Sequence, residues 1–170
     1  MQRRTLLRVS LASGAVLALM GGGAVLFYAP GWRDGHLTPA GRGIFAAVAK
    51  GVLDGTLPPE PEAQRAALSA HLDRMDETLR AMSPATQRQV AELLVVLNSS
   101  PGRLAVAGLT TEWLVASVAQ VQAALQGMRV SRVSLRQQAY HALRDLTHAA
   151  YFSGTGTWTQ LGYPGPTKLD

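Results

Sequence analysis

Cysteine is absent from the 170 residues. That excludes disulfides, iron–sulfur clusters, thiolate zinc sites, cysteine nucleophiles and cysteine-linked haem. Charge is scarce: 16% of residues are Asp, Glu, Lys or Arg, against about 25% in an ordinary soluble domain. The 17 glycines and 9 prolines follow no period, which excludes collagen-like and coiled-coil chains. Acids are missing from the first eight residues, which hold Arg3, Arg4 and Arg8. Setting those three aside leaves 13 basic against 11 acidic residues, so the formal charge of +5 reduces to +2 over the rest of the chain. A near-neutral body carries no nucleic-acid footprint, which requires Lys and Arg clustered on one face. The densest cluster, Arg129, Arg132 and Arg136, has no aromatic side chain interleaved and reads as a solvated helix start.

What is present begins with an address. Arg3 and Arg4 stand together, followed by Thr5, the apolar pair Leu6 and Leu7, and Arg8. This is the pattern of a twin-arginine export signal, and an uncharged run from Val9 to Ala29 follows it. As a helix that run is about 30 Å long, enough to span a bilayer. A small-x-small site at Gly22-Gly23-Ala24 would permit cleavage, but the apolar run continues past it to Phe27 and Tyr28. Retention as an anchor is therefore expected, with Tyr28 and Trp32 at the outer interface as an aromatic belt and the arginines on the cytoplasmic side.

The body reads as helices punctuated by proline. Thr38-Pro39 is a cap followed by proline at the first helical position, and Ile44, Phe45, Val48, Val52 and Leu53 recur at helical spacing. Gly55 and Pro58-Pro59-Glu60-Pro61 end that helix in a stiff connector. Leu68, Leu72, Met75, Leu79 and Met82 form one apolar stripe; Ser83-Pro84 repeats the cap, and Val90, Leu93, Leu94 and Leu97 define a third helix ending near Asn98. A short element spans 102–109. Thr110 or Thr111 is expected to cap a helix with Trp113, Leu114, Val118, Val121 and Leu125 inward, ending at Gly127. Ser131 is expected to cap the last long helix, from Val133 to about Phe152.

No period-2 strand is evident. The fold class is all-α: five or six helices behind one N-terminal hydrophobic signal or anchor helix, with an irregular C-terminal tail rich in aromatic residues, Pro and Gly. The expected divisions are 1–32 for the anchor, 33–153 for the helical domain and 154–170 for the tail. A body of this size buries roughly two-thirds of its unfolded surface, enough for a core without staples.

Chemistry is hard to nominate. The four histidines are His36, His71, His141 and His148, and neither a Gly-x-Ser-x-Gly elbow nor a phosphate-cradling loop after a strand occurs. Asp73, Asp76 and Glu77, interleaved with Arg74 and Arg80, read as a solvated helix face with pairs such as Asp76–Arg80. His141, Asp145 and His148 share one side of the last helix and could hold a divalent metal, or simply pair among themselves. With no fourth ligand and no His-Glu-x-x-His pattern, neither a metal site nor a catalytic residue is assigned.

The tail is the least generic part. Tyr151-Phe152 ends the last helix, a Gly-Thr turn follows, and then come Trp158 and Leu161-Gly162-Tyr163-Pro164-Gly165-Pro166. Proline and glycine make this stretch non-helical, and its large aromatics want burial. They either cap the helical core or insert into another protein, where Trp and Tyr are favoured anchors. Tyr151, Phe152, Trp158, Tyr163, Pro164 and Pro166 are the candidate partner-binding residues.

Those motifs, with the N-terminal arginine signal, Leu37-Thr38-Pro39 and the Leu57-Pro58-Pro59 connector, resemble small subunits of membrane-associated flavin dehydrogenases, the gluconate 2-dehydrogenase small-subunit family. The resemblance covers the two ends of the chain, and the middle only in helical character. It implies a non-catalytic accessory subunit of a periplasmic oxidoreductase complex. Such a subunit pairs with a large FAD-bearing subunit of the glucose-methanol-choline type and lends it an export signal. It helps that partner mature, and a cytochrome c subunit often completes the electron path. It implies FAD in the partner and no cofactor in this chain, at the outer face of the bacterial inner membrane. The competing expectation is an independent membrane-tethered helical binding module.

Overall fold

The computed structural model describes residues 30–158 and Gly162. The export-signal residues Arg3, Arg4, Leu6, Leu7 and Arg8, the expected anchor up to Ala29, and Tyr163, Pro164 and Pro166 lie outside the described residues.

The described chain opens with a hairpin that the sequence reading lacked. Strands β1 (Trp32–Arg33) and β2 (His36–Leu37) pair antiparallel, Trp32 opposite Leu37 and Arg33 opposite His36. The two-residue turn between them is Asp34-Gly35, with φ of 52° and 79°. Positive φ at both positions is what a type I′ turn demands, and Asp-Gly is a preferred pair for it. Trp32 is 9% exposed and belongs to the main core, so it is not available to an interfacial belt.

Helix α1 (Pro39–Val52) starts where expected: Thr38 Oγ1 accepts from Gly41 N and donates to Pro30 O at 2.6 Å. Its stripe of Ile44, Phe45 and Val48 is at most 1% exposed, and it packs against each of the other long helices. Around it stand α2 (Pro61–Arg80), α3 (Pro84–Asn98, capped by Ser83), α5 (Val118–Arg129) and α6 (Ser134–Phe152). Between α3 and α5 a three-residue helix, α4 (Ser100–Gly102), runs into a π-helical segment, Arg103–Ala107, stopped by Gly108 in the left-handed conformation. A final turn, α7, covers Thr155–Trp158. Among the described residues no single helix is long and apolar enough to cross a membrane. The chain is mostly helical, as expected.

Three further expectations need correction. The helix expected from Thr110 or Thr111 begins instead at Val118, because Ser117 and Gln120 form a reciprocal capping box: Ser117 Oγ accepts from Gln120 N and Gln120 Oε1 accepts from Ser117 N. It also runs past Gly127 to Arg129. The last helix has no side-chain cap; Ser131 Oγ accepts from Val133 N before the helix starts. The tail is helical for one turn, where Thr157 N and Thr157 Oγ1 both donate to Gly154 O.

Asp76 is not on a solvated face. It is 6% exposed, its Oδ1 accepts from Leu37 N at 2.7 Å, and its Oδ2 lies 3.4 Å from Arg42 Nη1 and 3.6 Å from His36 Nδ1. One carboxylate thus joins hairpin, α1 and α2. Close backbone contact completes the joint: Thr38 N donates to Gly31 O, and a Cβ on Gly41 would stand 2.0 Å from that oxygen.

Asp76→Ala is expected to cost about 2–4 kcal/mol, because the buried Leu37 N–H loses its acceptor and Arg42 keeps only its exposed bond to Asp73. Asp76→Asn, which keeps an acceptor for Leu37, should cost about 1 kcal/mol. Gly41→Ala must push the hairpin off α1 and should cost about 2 kcal/mol or more. Urea denaturation followed by circular dichroism measures all three.

Candidate functional site

Among the described residues the two most exposed large apolar side chains lie together in the loop between Leu109 and α5, while Leu104, Val130 and Val133 are exposed elsewhere. Trp113 holds that loop down: the indole is buried and Nε1 donates to Leu97 O at 2.9 Å. With Trp113 pinned, its neighbours Leu114 and Val115 are turned outward, 74% and 73% exposed. Val118, at the start of α5, is 37% exposed. The inward helix expected for Leu114 and Val118 would have hidden both; the late capping box leaves them on the surface.

Beside the loop is a shallow notch with α1 as its floor. Gly43, Ala46 and Ala47 offer small side chains there, Trp113 and Val121 flank them, and Lys50 is the one charged residue in the lining. It holds about 40 Å³, room for a water or two and far below the several hundred Å³ of a typical small-molecule pocket. Leu114 lies over Gly43, whose added Cβ would come within 3.0 Å of Leu114 Cγ. An apolar loop over a small-residue floor is suited to contact with another chain; exposed contiguous apolar surface on a packed body is a mark of such contact.

The C-terminal candidates fall differently. Tyr151 is 3% exposed and packs with Ala49, Leu53, Leu57 and Leu68 in a small satellite core. Its hydroxyl donates to Thr56 O at 3.4 Å. Of the two alternatives for the aromatics, Tyr151 therefore caps the chain's own helices. Phe152 and Trp158 are half-buried; Trp158 Nε1 donates to Phe152 O at 3.1 Å, which folds the last turn back on α6. These two keep an outward face.

His141, Asp145 and His148 do not converge. Asp145 pairs with its neighbour Arg144, His141 meets Tyr140 edge to face, and His148 lies against Phe152. Burial, then the nearby Arg144, depresses the basicity of His148. Among the described residues no group of three His, Asp or Glu is arranged to hold a metal. The Arg129–Arg132–Arg136 cluster is likewise dispersed. Arg136 Nε donates to Val106 O at 2.8 Å and braces the π-helical segment, while Arg129 binds Gln126.

Sequence reasoning missed His71. It is fully buried, and neither ring nitrogen has a hydrogen-bond partner. Burial first, and the adjacent Arg74 second, pull its pKa down to about 4. Its position on the stripe of Leu68, Leu72 and Met75, one residue from Leu72, is the signal that could have revealed it.

No protein-family model, no curated protein and no solved structure matches the chain.

Because Leu114 and Val115 are so exposed, replacing both with Ser should leave folding stability within about 0.5 kcal/mol. The same change at Trp113 should cost about 3 kcal/mol or more, since a buried aromatic and the donor to Leu97 are lost together. Thermal melts of the two variants test whether the loop's apolar residues serve the fold or something outside it.

Proposed function

We propose that this chain is a non-catalytic accessory subunit of an exported, membrane-attached FAD-dependent dehydrogenase complex, escorting and stabilising the flavin-bearing subunit. The observation that carries the binding role is the apolar loop: Leu114 and Val115 stand three-quarters exposed on a well-packed body, beside a small-residue notch in α1. Folding stability gains little from them, and solubility is reduced by them, so their burial against another protein is the reading with a physical benefit.

The identity of the partner comes from the sequence motifs. The Arg3-Arg4 signal with Leu6, Leu7 and Arg8 directs export through the twin-arginine route, and the tail pattern resembles that of flavin-dehydrogenase small subunits. In this reading FAD is held by the partner, which binds through the Leu114 loop and the outward faces of Phe152 and Trp158. Tyr163, Pro164 and Pro166 extend that tail contact, and Tyr151 supports it from beneath. The chain sits on the outer face of the bacterial inner membrane, tethered by its N-terminal hydrophobic run, and a cytochrome c subunit takes the electrons onward.

Two experiments test this. With Arg3 and Arg4 changed to Lys, both the chain and a flavoprotein partner are expected to stay in the cytoplasm; a partner still exported ends the escort role. In a mild-detergent purification the unmodified chain should bring down a yellow, FAD-containing protein, and the Leu114→Asp, Val115→Asp variant should bring down at least tenfold less. A monodisperse chain that never captures flavin would favour the independent membrane-tethered module instead.

A further inference from the structure

We propose that His71 is the acid-labile pin of a latch that holds the C-terminal turn of the chain against α2. The latch is a continuous set of contacts. The His71 ring lies 6.1 Å from the Tyr151 ring, centroid to centroid. One turn along α2, Arg74 Nε donates to Ala150 O at 2.9 Å. Gly154 then packs on that guanidinium so closely that an added Cβ would stand 2.9 Å from Arg74 Cζ. Thr157 closes the turn by donating to Gly154 O at 2.7 Å.

The seam is built for an uncharged imidazole. His71 has no exposed surface, and its two nitrogens are unpartnered. Thr147, one turn before Tyr151 on the same side of α6, is another buried side chain whose polar atom has no partner. The charged groups nearby offer an incoming proton nothing. Arg74, on the same helix, repels it. From α6 come the Tyr151 ring and the half-buried His148, itself poorly basic. The connector's Asp54 is exposed and bound to Gln122, Glu60 is exposed, and Asp73 and Asp76 are engaged by Arg42. From α1 the seam receives Ala49 and Leu53. A second cation in this site has neither water nor carboxylate, and separation of the turn from α2 relieves it.

Opening is local because the seam has its own core. Tyr151 packs with Ala49, Leu53, Leu57 and Leu68, whereas the main cluster includes Leu72, Met75 and Leu79 of α2 and reaches along α6 through Leu143 and Leu146 to Ala150, so the seam begins just beyond Ala150. The end of α6 and α7 can leave while the helices stay joined below. The sign follows from proton binding. The closed seam takes up a proton at His71 only near pH 4, whereas an opened, hydrated imidazole does so near its ordinary value of about 6.5. Closure is thus at full strength above that ordinary value. It weakens about tenfold per pH unit on the way down, by about 300-fold in total, and is flat below. The latch exists whether or not the released aromatic face meets a partner.

Hydrogen exchange on the full-length chain in detergent micelles tests this. After correction for intrinsic rates, protection of the amides from Tyr151 to Trp158 should fall about 100-fold between pH 7 and pH 4, where His71 in the closed seam is itself half-protonated. Protection of Leu94 to Leu97 in the main core should hold. In His71→Leu most of the fall in the turn should disappear, leaving only the smaller part that release of the half-buried His148 contributes. The imidazole resonances of His71 in the unmodified chain give an answer independent of any variant, and their titration midpoint should lie well below the ordinary histidine range. The latch is overturned if the turn keeps its protection at pH 4, if His71→Leu loses protection in step with the unmodified chain, or if His71 titrates near 6.5 while the turn stays closed.

Discussion

The Asp76 carboxylate is the joint on which the architecture turns. A carboxylate buried on a helix is unfavourable unless its oxygens are occupied. Here they take the Leu37 N–H, the Arg42 guanidinium and the His36 ring edge, so the hairpin and the start of α1 are fixed to α2, a distant part of the chain. That joint sets where the hairpin lies on α1 and therefore the direction in which the chain enters the domain from its N-terminal side. The Gly31–Gly41 contact does the same by exclusion: only backbone fits between hairpin and helix. Polar satisfaction and close approach, rather than apolar area, orient the entry.

Away from that joint the body divides into a main core around α1 and a satellite core at the C-terminal end of α6. The division matters energetically. The main core holds Phe45, Val48, Met75, Leu94 and Leu143, each fully buried, and resists local opening. The satellite holds five buried residues and borders, at Tyr151, a histidine whose ring nitrogens have no hydrogen-bond partner. A small apolar cluster with an unsatisfied titratable group at its side is the low-stability end of a fold, which is where movable segments are drawn from. The binding face suggested by Leu114 and Val115 belongs by contrast to the rigid part, pinned by the Trp113 indole. In the accessory role proposed above, such a division would set a preorganised surface in one place and a releasable turn in another.

The helical stripes were legible from spacing alone. Thr38, Ser83 and the prolines after them start α1 and α3 as read, because N-cap chemistry is local: the hydroxyl bonds to a backbone N–H three residues on. Two elements are set by stronger local signals than spacing. Asp34-Gly35 is a hairpin turn in two residues, and Ser117 with Gln120 is a capping box that outweighs Thr110 or Thr111.

Other features had no local signal. Asp76 looks like any surface acid in a charged stretch, and its burial is decided by Leu37, 39 residues away in the chain. His71 gains its character from Tyr151 and Arg74, and Leu114 is exposed because Trp113 found a carbonyl on α3. By itself the sequence determined the helical class and the starts of α1 and α3, since each rests on contacts within a few residues. Tertiary structure decided which polar side chains are buried, which aromatic side chains are hidden and which apolar loop is left facing outward. Those outcomes depend on partners that only the folded chain brings within reach.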